Sequence, residues 1–319
     1  MDGSLKRRLV SIPAVVVGWL LLTVLLVPTV LVVALIDLVR GHRRLPLARL
    51  VGFGWWYLGA ETVGLVALGA SWLLTLGRPS ARVDQAYAIQ DVWAGALFGA
   101  LRRLFGIRFE VDEGGAELSA GPYVVMMRHA SIVDTLLPAF TLARPHGIRL
   151  RYVLKAELLA DPCLDVAGNR LPNVFVRRGG GRSEVPRVAA LAEGLPPSGA
   201  VLIYPEGTRF TDAKRSRLME RGGRIGERAR ALAAVLPPRP GGPGALLRAG
   251  HDVVFFAHRG LEGLAEVKDL LDGALIDARV RVAMWRVAAS EVDLDDVDGW
   301  LFGQWRRMDD WVVAASAAD

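Results

Sequence analysis

A histidine and an aspartate separated by four residues form the most chemically informative pattern in the sequence. They are His129 and Asp134, in the stretch YVVMMRHASIVDTLL over residues 123–137. On a regular helix, five residues advance the chain by about 500°, so the two side chains would point apart. They can meet if a buried strand ends before His129 and Asp134 lies in the helix that follows. A carboxylate bonded to one ring nitrogen leaves the other nitrogen as a base, so the pattern predicts a pair that activates a hydroxyl group.

A second group of polar residues follows another apolar run. Residues 199–209 read GAVLIYPEGTR, in which a buried strand leads into proline, glutamate, glycine, threonine and arginine. Proline stops the strand, and glycine permits an unusual backbone turn. Ligands of open α/β sheets bind at the carboxyl ends of the strands. Arg209 is therefore a candidate phosphate ligand, and Glu206 is a candidate either to orient an acceptor hydroxyl or to brace Arg209.

These motifs resemble those of the glycerolipid and lysophospholipid acyltransferase family, of the 1-acylglycerol-3-phosphate acyltransferase type. The family's H-x4-D motif matches His129 and Asp134, and its E-G-T-R motif matches residues 206–209. Between them, the sequence NVFVRR resembles the second motif, with Arg178 in the place of the motif's arginine. Residues 235–242, VLPPRPGG, are similar to a segment of the lysocardiolipin acyltransferase-like branch and include Arg239. The resemblance covers roughly residues 107–285.

The resemblance implies an acyl transfer in which His129, oriented by Asp134, takes the proton from a hydroxyl of lysophosphatidic acid or another lysophospholipid. The hydroxyl oxygen then attacks the thioester of an acyl-CoA or an acyl-carrier protein, and neither a metal nor another cofactor is needed. Arginine side chains would hold the substrate phosphates, and the E-G-T-R turn would shape the acceptor site. The substrate-binding residues that the resemblance implies are Arg178, Glu206, Gly207, Thr208, Arg209 and Arg239.

Two departures from the family's pattern keep other functions open. Arg128 stands before His129 where asparagine is usual, and Arg177 stands where aspartate is common. One alternative is therefore a lipid-binding membrane protein that keeps the fold without catalysis. The other is a lipid hydrolase with Ser131 as nucleophile, although the sequence contains no G-x-S-x-G motif.

The composition limits the class of protein further. The chain has 319 residues, of which 52% are hydrophobic and 23% are charged, and its net charge is +6. This apolar content excludes a disordered chain, and a single cysteine, Cys163, excludes a disulfide scaffold and a cysteine-rich zinc site. The positive charge favours an anionic partner such as a membrane or a phosphorylated substrate. The remaining histidines are assigned no role: His42, His146, His251 and His258.

A basic segment over residues 214–230 leaves two interpretations open. It contains seven lysine and arginine residues and two glutamates. It is either a solvated helix face or a contact for anionic headgroups or for coenzyme A phosphates. Nucleic acid is not an expected partner because no aromatic residues are interleaved with these basic ones.

Two apolar runs near the N-terminus indicate membrane attachment. Residues 9–36 carry no charge and residues 51–77 carry one, Glu61, and each run exceeds the roughly 20 residues that cross a bilayer. The first run is also longer than the apolar core of a secretory signal peptide, about 7–15 residues, so we expect it to be retained. The flanking charges do not decide whether this hairpin spans the membrane or dips into one leaflet. We expect a membrane protein, in the plasma or inner membrane if bacterial, with its catalytic domain in the cytoplasm.

The rest of the chain is predicted to be α/β. Short β-branched runs bounded by glycine, proline or charged residues predict strands, with helical stretches between them, which favours a mostly parallel sheet covered by helices. We therefore expect N-terminal membrane-attachment helices over residues 1–80 and an α/β acyltransferase domain over residues 81–319. A helical stretch is predicted over residues 214–235. The predicted strands cover residues 108–111, 123–127, 150–154, 174–177, 200–204, 252–256 and 280–285.

Overall fold

The computed structural model describes residues 3–115, 118, 121–131, 133–177, 179–262 and 267–317. The chain divides into two compact units. The first comprises residues 1–107, 154–177 and 267–278, and the second comprises residues 108–153, 178–266 and 279–319. The long helix that begins at Pro79 belongs wholly to the first unit.

The elements alternate along the chain as the sequence predicts. The helices are α1 (Gly3–Val39), α2 (Pro46–Leu74), α3 (Pro79–Phe105), α4 (Arg144–His146), α5 (Pro162–Gly168), α6 (Val185–Ala189), α7 (Asp212–Glu220), α8 (Gly223–Arg230), α9 (Gly241–Leu247), α10 (Val267–Leu271) and α11 (Val297–Ala317). The strands are β1 (Arg108–Asp112), β2 (Tyr123–Met127), β3 (Arg149–Lys155), β4 (Val174–Val176), β5 (Gly199–Ile203), β6 (Asp252–Arg259) and β7 (Arg279–Val287).

The first unit is mainly helical, and α2 packs against α1, α3, α5 and α10. Ion pairs fix both ends of α1 within this unit. Near its start, Arg7 Nη2 lies 2.8 Å from Asp165 Oδ1 and Arg8 Nε lies 3.0 Å from Asp165 Oδ2, and the Asp165 side chain is fully buried. Just beyond its end, Arg40 Nη2 lies 3.2 Å from Asp272 Oδ1.

Two helical spans, Ser4–Val39 and Pro46–Leu74, are long and apolar enough to cross a membrane by length and composition. Many large apolar side chains of α1 are exposed, with Val24 at 79% and Val27 at 68%. Large exposed apolar surfaces are rare on soluble proteins, and where they occur they mark sites that contact another protein or a lipid membrane.

The second unit contains a mixed, mostly parallel sheet with the strand order β1-β7-β6-β2-β5-β3. β2 pairs in parallel with β5 and β6, β3 pairs in parallel with β5, and β1 pairs in parallel with β7. β6 and β7 are antiparallel. Every residue of β2 and β5 is buried, which explains why these strands have continuous apolar sequences. The predicted α/β fold with a mostly parallel sheet is confirmed.

The helical stretch predicted over residues 214–235 is divided into α7 and α8, and it ends at Arg230. Gly222 lies between them with φ 66°, in the left-handed region where an α-helix cannot continue. The break separates α7 from α8, and residues of both helices line one cavity.

Candidate active site

Strand register brings the two sequence motifs together. β2 and β5 run parallel and pair Met126 with Ile203. His129 and Glu206 each follow these paired residues by three positions, so the chain leaves the same edge of the sheet at both points. The backbone N–H of His129 donates to Glu206 Oε1 over 3.0 Å. The H-x4-D and E-G-T-R segments therefore form one site at the carboxyl ends of adjacent strands.

His129 and Asp134 are in contact. His129 Nδ1 lies 3.2 Å from Asp134 Oδ1 and 3.1 Å from Oδ2. Asp134 Oδ2 also accepts hydrogen bonds from the backbone N–H groups of Ala130 and Ser131, each over 2.8 Å. These bonds fold the chain back on itself between β2 and the single 3₁₀ turn Val133–Leu136. That local turn explains how two residues five positions apart can face each other.

The electrostatics of the site favour a basic Nε2 on His129. Burial alone would raise the pKa of Asp134, but the hydrogen bonds from His129 and His258 outweigh it and hold this pKa well below its usual value. The ionised carboxylate keeps a proton on Nδ1 of His129, so the unshared electron pair of the neutral ring lies on Nε2. The ring also packs against that of Tyr204, with 4.6 Å between the centroids. The packing against Tyr204 and the hydrogen bond to Asp134 therefore hold the His129 ring in one orientation.

The Glu206 side chain is buried and bonded to the backbone. Besides its bond from His129, its Oε2 accepts from the N–H of Leu236 over 2.9 Å. Burial raises the pKa of Glu206 to about 8, against the opposing effects of these two N–H groups and Arg128. Its described contacts connect the turn that carries His129 with the segment at Leu236.

The turn after β5 requires glycine at position 207. Gly207 has φ 68°, in the left-handed region, and a Cβ there would lie 3.4 Å from Nε of Arg239. Arg239 therefore lies across this turn, and its backbone N–H donates to the carbonyl of Pro205 over 2.9 Å. Lys214 Nζ donates to Thr208 Oγ1 over 3.0 Å. Residues 207, 208 and 239 are thus brought together around one turn.

Arg209 has the character of a ligand-binding residue. Its Nη1 is buried and has no hydrogen-bond partner within the part of the chain that the structure describes. A buried guanidinium nitrogen without a partner is unfavourable, and a phosphate oxygen would satisfy it. Arg178, which the resemblance also places at the substrate, lies outside the described residues.

His258 is a member of this site that the sequence pattern did not reveal. It lies on β6, parallel to β2, where the strand register places it level with His129. Its Nε2 lies 3.2 Å from the carbonyl oxygen of Arg128 and 3.5 Å from Asp134 Oδ2. Because a carbonyl can only accept, Nε2 of His258 carries a proton that faces both acceptors. The sequence feature that could have indicated His258 is a histidine at the end of the otherwise apolar run VVFFAH.

Arg128, which stands where the family usually has asparagine, makes buried contacts within the protein. Its side chain is fully buried, with Nη1 donating to the carbonyl of His258 over 2.6 Å and Nη2 to that of Ala234 over 2.8 Å. It also forms an ion pair with Glu262. The guanidinium therefore joins the ends of β2 and β6 to the segment near Ala234, behind the dyad. The substitution of arginine for asparagine thus adds a buried connection within the protein.

Two other chemistries have less support from this geometry. Ser131 is fully buried, so its position does not suit a nucleophile that must reach a substrate carbonyl. Among the residues that the structure describes, no group of three or more His, Cys, Asp or Glu is arranged to hold a metal ion.

Comparison with known proteins agrees with the site geometry. Residues 109–241 match the family model described as Acyltransferase. No curated protein matches the chain in sequence. Among solved structures, the chain is similar to the crystal structure of the 1-acyl-sn-glycerophosphate (LPA) acyltransferase PlsC from Thermotoga maritima, at 15% identity and a TM-score of 0.54, covering 85% of this chain and 98% of that one. Residues 109–241 therefore match an acyltransferase domain, and this match together with the shared fold supports the glycerolipid acyltransferase family.

Proposed function

We propose that the protein is a membrane-bound O-acyltransferase that moves a fatty acyl group from a thioester to a hydroxyl of lysophosphatidic acid or another lysophospholipid. The thioester is an acyl-CoA or an acyl-carrier protein. The observation that carries the proposal is the contact between His129 and Asp134, at the carboxyl end of β2 and directly beside the turn after β5. An oriented imidazole beside a turn in which Nη1 of Arg209 has no described partner suits a phosphorylated alcohol as acceptor.

The chemistry assigned to the dyad balances without another reagent. Nε2 of His129 takes the proton of the acceptor hydroxyl while its oxygen attacks the thioester carbon. The carbon–oxygen bond forms and the carbon–sulfur bond breaks, and the imidazolium then returns the proton to the sulfur of the leaving thiol. Asp134 stabilises the imidazolium that exists between these two transfers. A positioned base of this kind contributes about 10²–10⁴-fold to the rate.

The other site residues act on binding. Arg178, Arg209 and Arg239 are proposed to hold substrate phosphates, which fixes the hydroxyl near the base. Gly207 and Thr208 form the turn beside them, and Glu206 holds the backbone of His129 in place. The apolar helices α1 and α2 are proposed to attach the protein to the membrane, where lysophospholipid and acyl chains concentrate, with the catalytic unit on the cytoplasmic side.

A thiol-release assay on the purified full chain tests this function. Acyl-CoA is offered with a panel of lysophospholipids, and the free thiol is measured together with the diacyl product. We expect turnover on at least one glycerol-based acceptor, and we expect His129→Ala to reduce kcat by about 10²-fold or more.

His146→Ala is the matched control, because His146 lies on α4 and pairs with Glu113 away from the dyad. We expect it to retain wild-type turnover. A protein that binds lysolipid yet releases no thiol would support the non-catalytic alternative. Equal rates for wild type and His129→Ala would refute the assignment of the base.

A further inference from the structure

A basic cavity opens beside the turn after β5. Its volume is about 660 Å³, and its walls come from α7, α8, the start of α11, the turn at Thr208 and residues 236–240. It is continuous with the described site because Glu206, which holds the backbone of His129, is also at its wall. The basic residues that line it are Lys214, Arg217, Arg221, Arg224, Arg228 and Arg239.

Part of this basic lining is fixed by the protein itself. Arg224 Nη1 lies 2.8 Å from Asp298 Oδ2, and Arg228 Nη1 lies 2.5 Å from Asp298 Oδ1. The Arg228 guanidinium also stacks over the ring of Phe302, 4.5 Å from its centroid. Two arginines therefore share one carboxylate, which leaves an excess of positive charge on this wall.

The other arginines of the lining have no such compensation. The guanidinium groups of Arg217, Arg221 and Arg239 form no hydrogen bond or ion pair with any residue that the structure describes. The second acidic residue at the wall, Glu206, already accepts two backbone hydrogen bonds. Several cations facing one concave space repel each other unless an anion lies between them.

We propose that this cavity binds a substrate moiety that carries several phosphate charges. The proposal rests on the proposed acyl transfer and adds where a phosphorylated substrate is held. The volume lies within the roughly 300–1,000 Å³ of small-molecule sites and exceeds what a single phosphate group needs. Arginine suits phosphate because its planar guanidinium donates two parallel hydrogen bonds. Two substrates offer this chemistry: the nucleotide end of acyl-CoA, with three phosphate groups, and the headgroup of an acidic lysophospholipid.

The double variant Arg217→Ala/Arg221→Ala tests the proposal and separates the two sources. KM and kcat are measured in detergent for acyl-CoA, for the same acyl group on pantetheine, which lacks the phosphates, and for lysophosphatidic acid. If the cavity holds the donor, KM for acyl-CoA rises about tenfold or more while the pantetheine thioester is unaffected. If it holds the acceptor, KM for lysophosphatidic acid rises with either donor. In both cases kcat changes little, because neither arginine contacts the dyad.

Calorimetry gives a readout that does not need turnover. Adenosine 3′,5′-bisphosphate and glycerol 3-phosphate are titrated into the wild type and the double variant, and we expect the variant to bind one of them about tenfold more weakly. Unchanged KM values together with unchanged binding of both probes would overturn the proposal. A wild type that binds a probe through these arginines but transfers no acyl group would leave the cavity assignment standing and refute the proposed function instead.

Arg248→Ala/Arg306→Ala is the matched control. Both residues are exposed, the first just after α9 and the second on α11, and neither lines the cavity, so this variant removes the same two charges from the same unit. We expect its KM values and its binding of both probes to equal those of the wild type. A similar loss in this control would show that the double variant acts through net charge alone, which would also overturn the proposal.

Discussion

The carboxylate of Asp134 lies between two imidazole rings, and the two rings have different tasks. His129 is accessible at 8% of its surface and carries the proposed base. His258 is fully buried and bonds to the carbonyl of Arg128 on the same side as the carboxylate. The catalytic pair is therefore the outer part of a three-residue arrangement, in which the buried histidine holds the carboxylate in position for the outer one.

Removal of the buried histidine should impair catalysis through the position of Asp134. We expect His258→Leu to lower kcat about tenfold or more, since a hydrogen bond to a charged group is worth roughly 1.5–3 kcal/mol. KM should stay near the wild-type value, because His258 does not face the substrate. The separate kcat and KM values from the thiol-release assay check this expectation.

His258→Gln is the comparison variant that tests whether the hydrogen bond to Asp134 accounts for this loss of kcat. The glutamine amide can still donate a hydrogen bond towards Asp134, so we expect it to recover most of the lost kcat. If the glutamine and leucine variants reduce kcat equally while both keep the thermal midpoint of the wild type, the hydrogen bond from His258 to Asp134 does not contribute to catalysis.

At the scale of the elements, Glu206 connects three segments: the turn after β2, the turn after β5 and the backbone at Leu236. Its pKa is raised by burial from an ordinary 4.5 to about 8, so the folded protein binds this proton more tightly than the unfolded chain does. The contribution to stability is therefore complete below about pH 4.5 and is lost as the pH rises through about 8.

This linkage predicts a measurable pH dependence of unfolding. Between pH 4.5 and 8, the thermal midpoint of the wild type should fall more steeply with pH than that of Glu206→Gln, which cannot ionise. The variant should also unfold at a lower temperature overall, since its amide nitrogen cannot accept the second N–H bond. Glu193→Gln, at an exposed position, should keep the wild-type slope. Identical slopes for Glu206→Gln and the wild type would contradict the prediction.

The strands and the dyad were predictable from the sequence because each depends on a local pattern. Buried parallel strands require apolar runs, and the turn between His129 and Asp134 is closed by bonds within six residues. The role of Glu206 and the contact of His258 depend on strand pairing between distant segments, which a single sequence does not encode locally. The break between α7 and α8 depends on two adjacent glycines with positive φ, Gly222 and Gly223, among residues that otherwise favour a helix.

At the scale of the whole molecule, the tethers of α1 restrict how it can meet a bilayer. Arg7 and Arg8 bind Asp165, and Arg40 binds Asp272. No helix that could cross a membrane follows Leu74 in the described part of the chain. We therefore expect both aspartates to lie on one side of a membrane, and the two ends of α1 to lie on that side as well.

Cysteine labelling in sealed vesicles tests this topology. Single cysteines at exposed positions, introduced as Lys6→Cys, Arg43→Cys and Asp310→Cys, should all react with an impermeant maleimide from the same face. Native Cys163 is buried, so the wild type serves as the unlabelled control. Labelling of positions 6 and 43 from opposite faces would show instead that α1 crosses the bilayer.

On the topology that we expect, a helix of 37 residues that is fastened at both ends to the same face would rest lengthwise in a single monolayer. Lysolipid would then arrive by lateral diffusion within that monolayer. The proposed diacyl product would enter the monolayer from which its precursor came. Growth of the opposite monolayer would consequently depend on a separate process that transfers finished lipid across the bilayer.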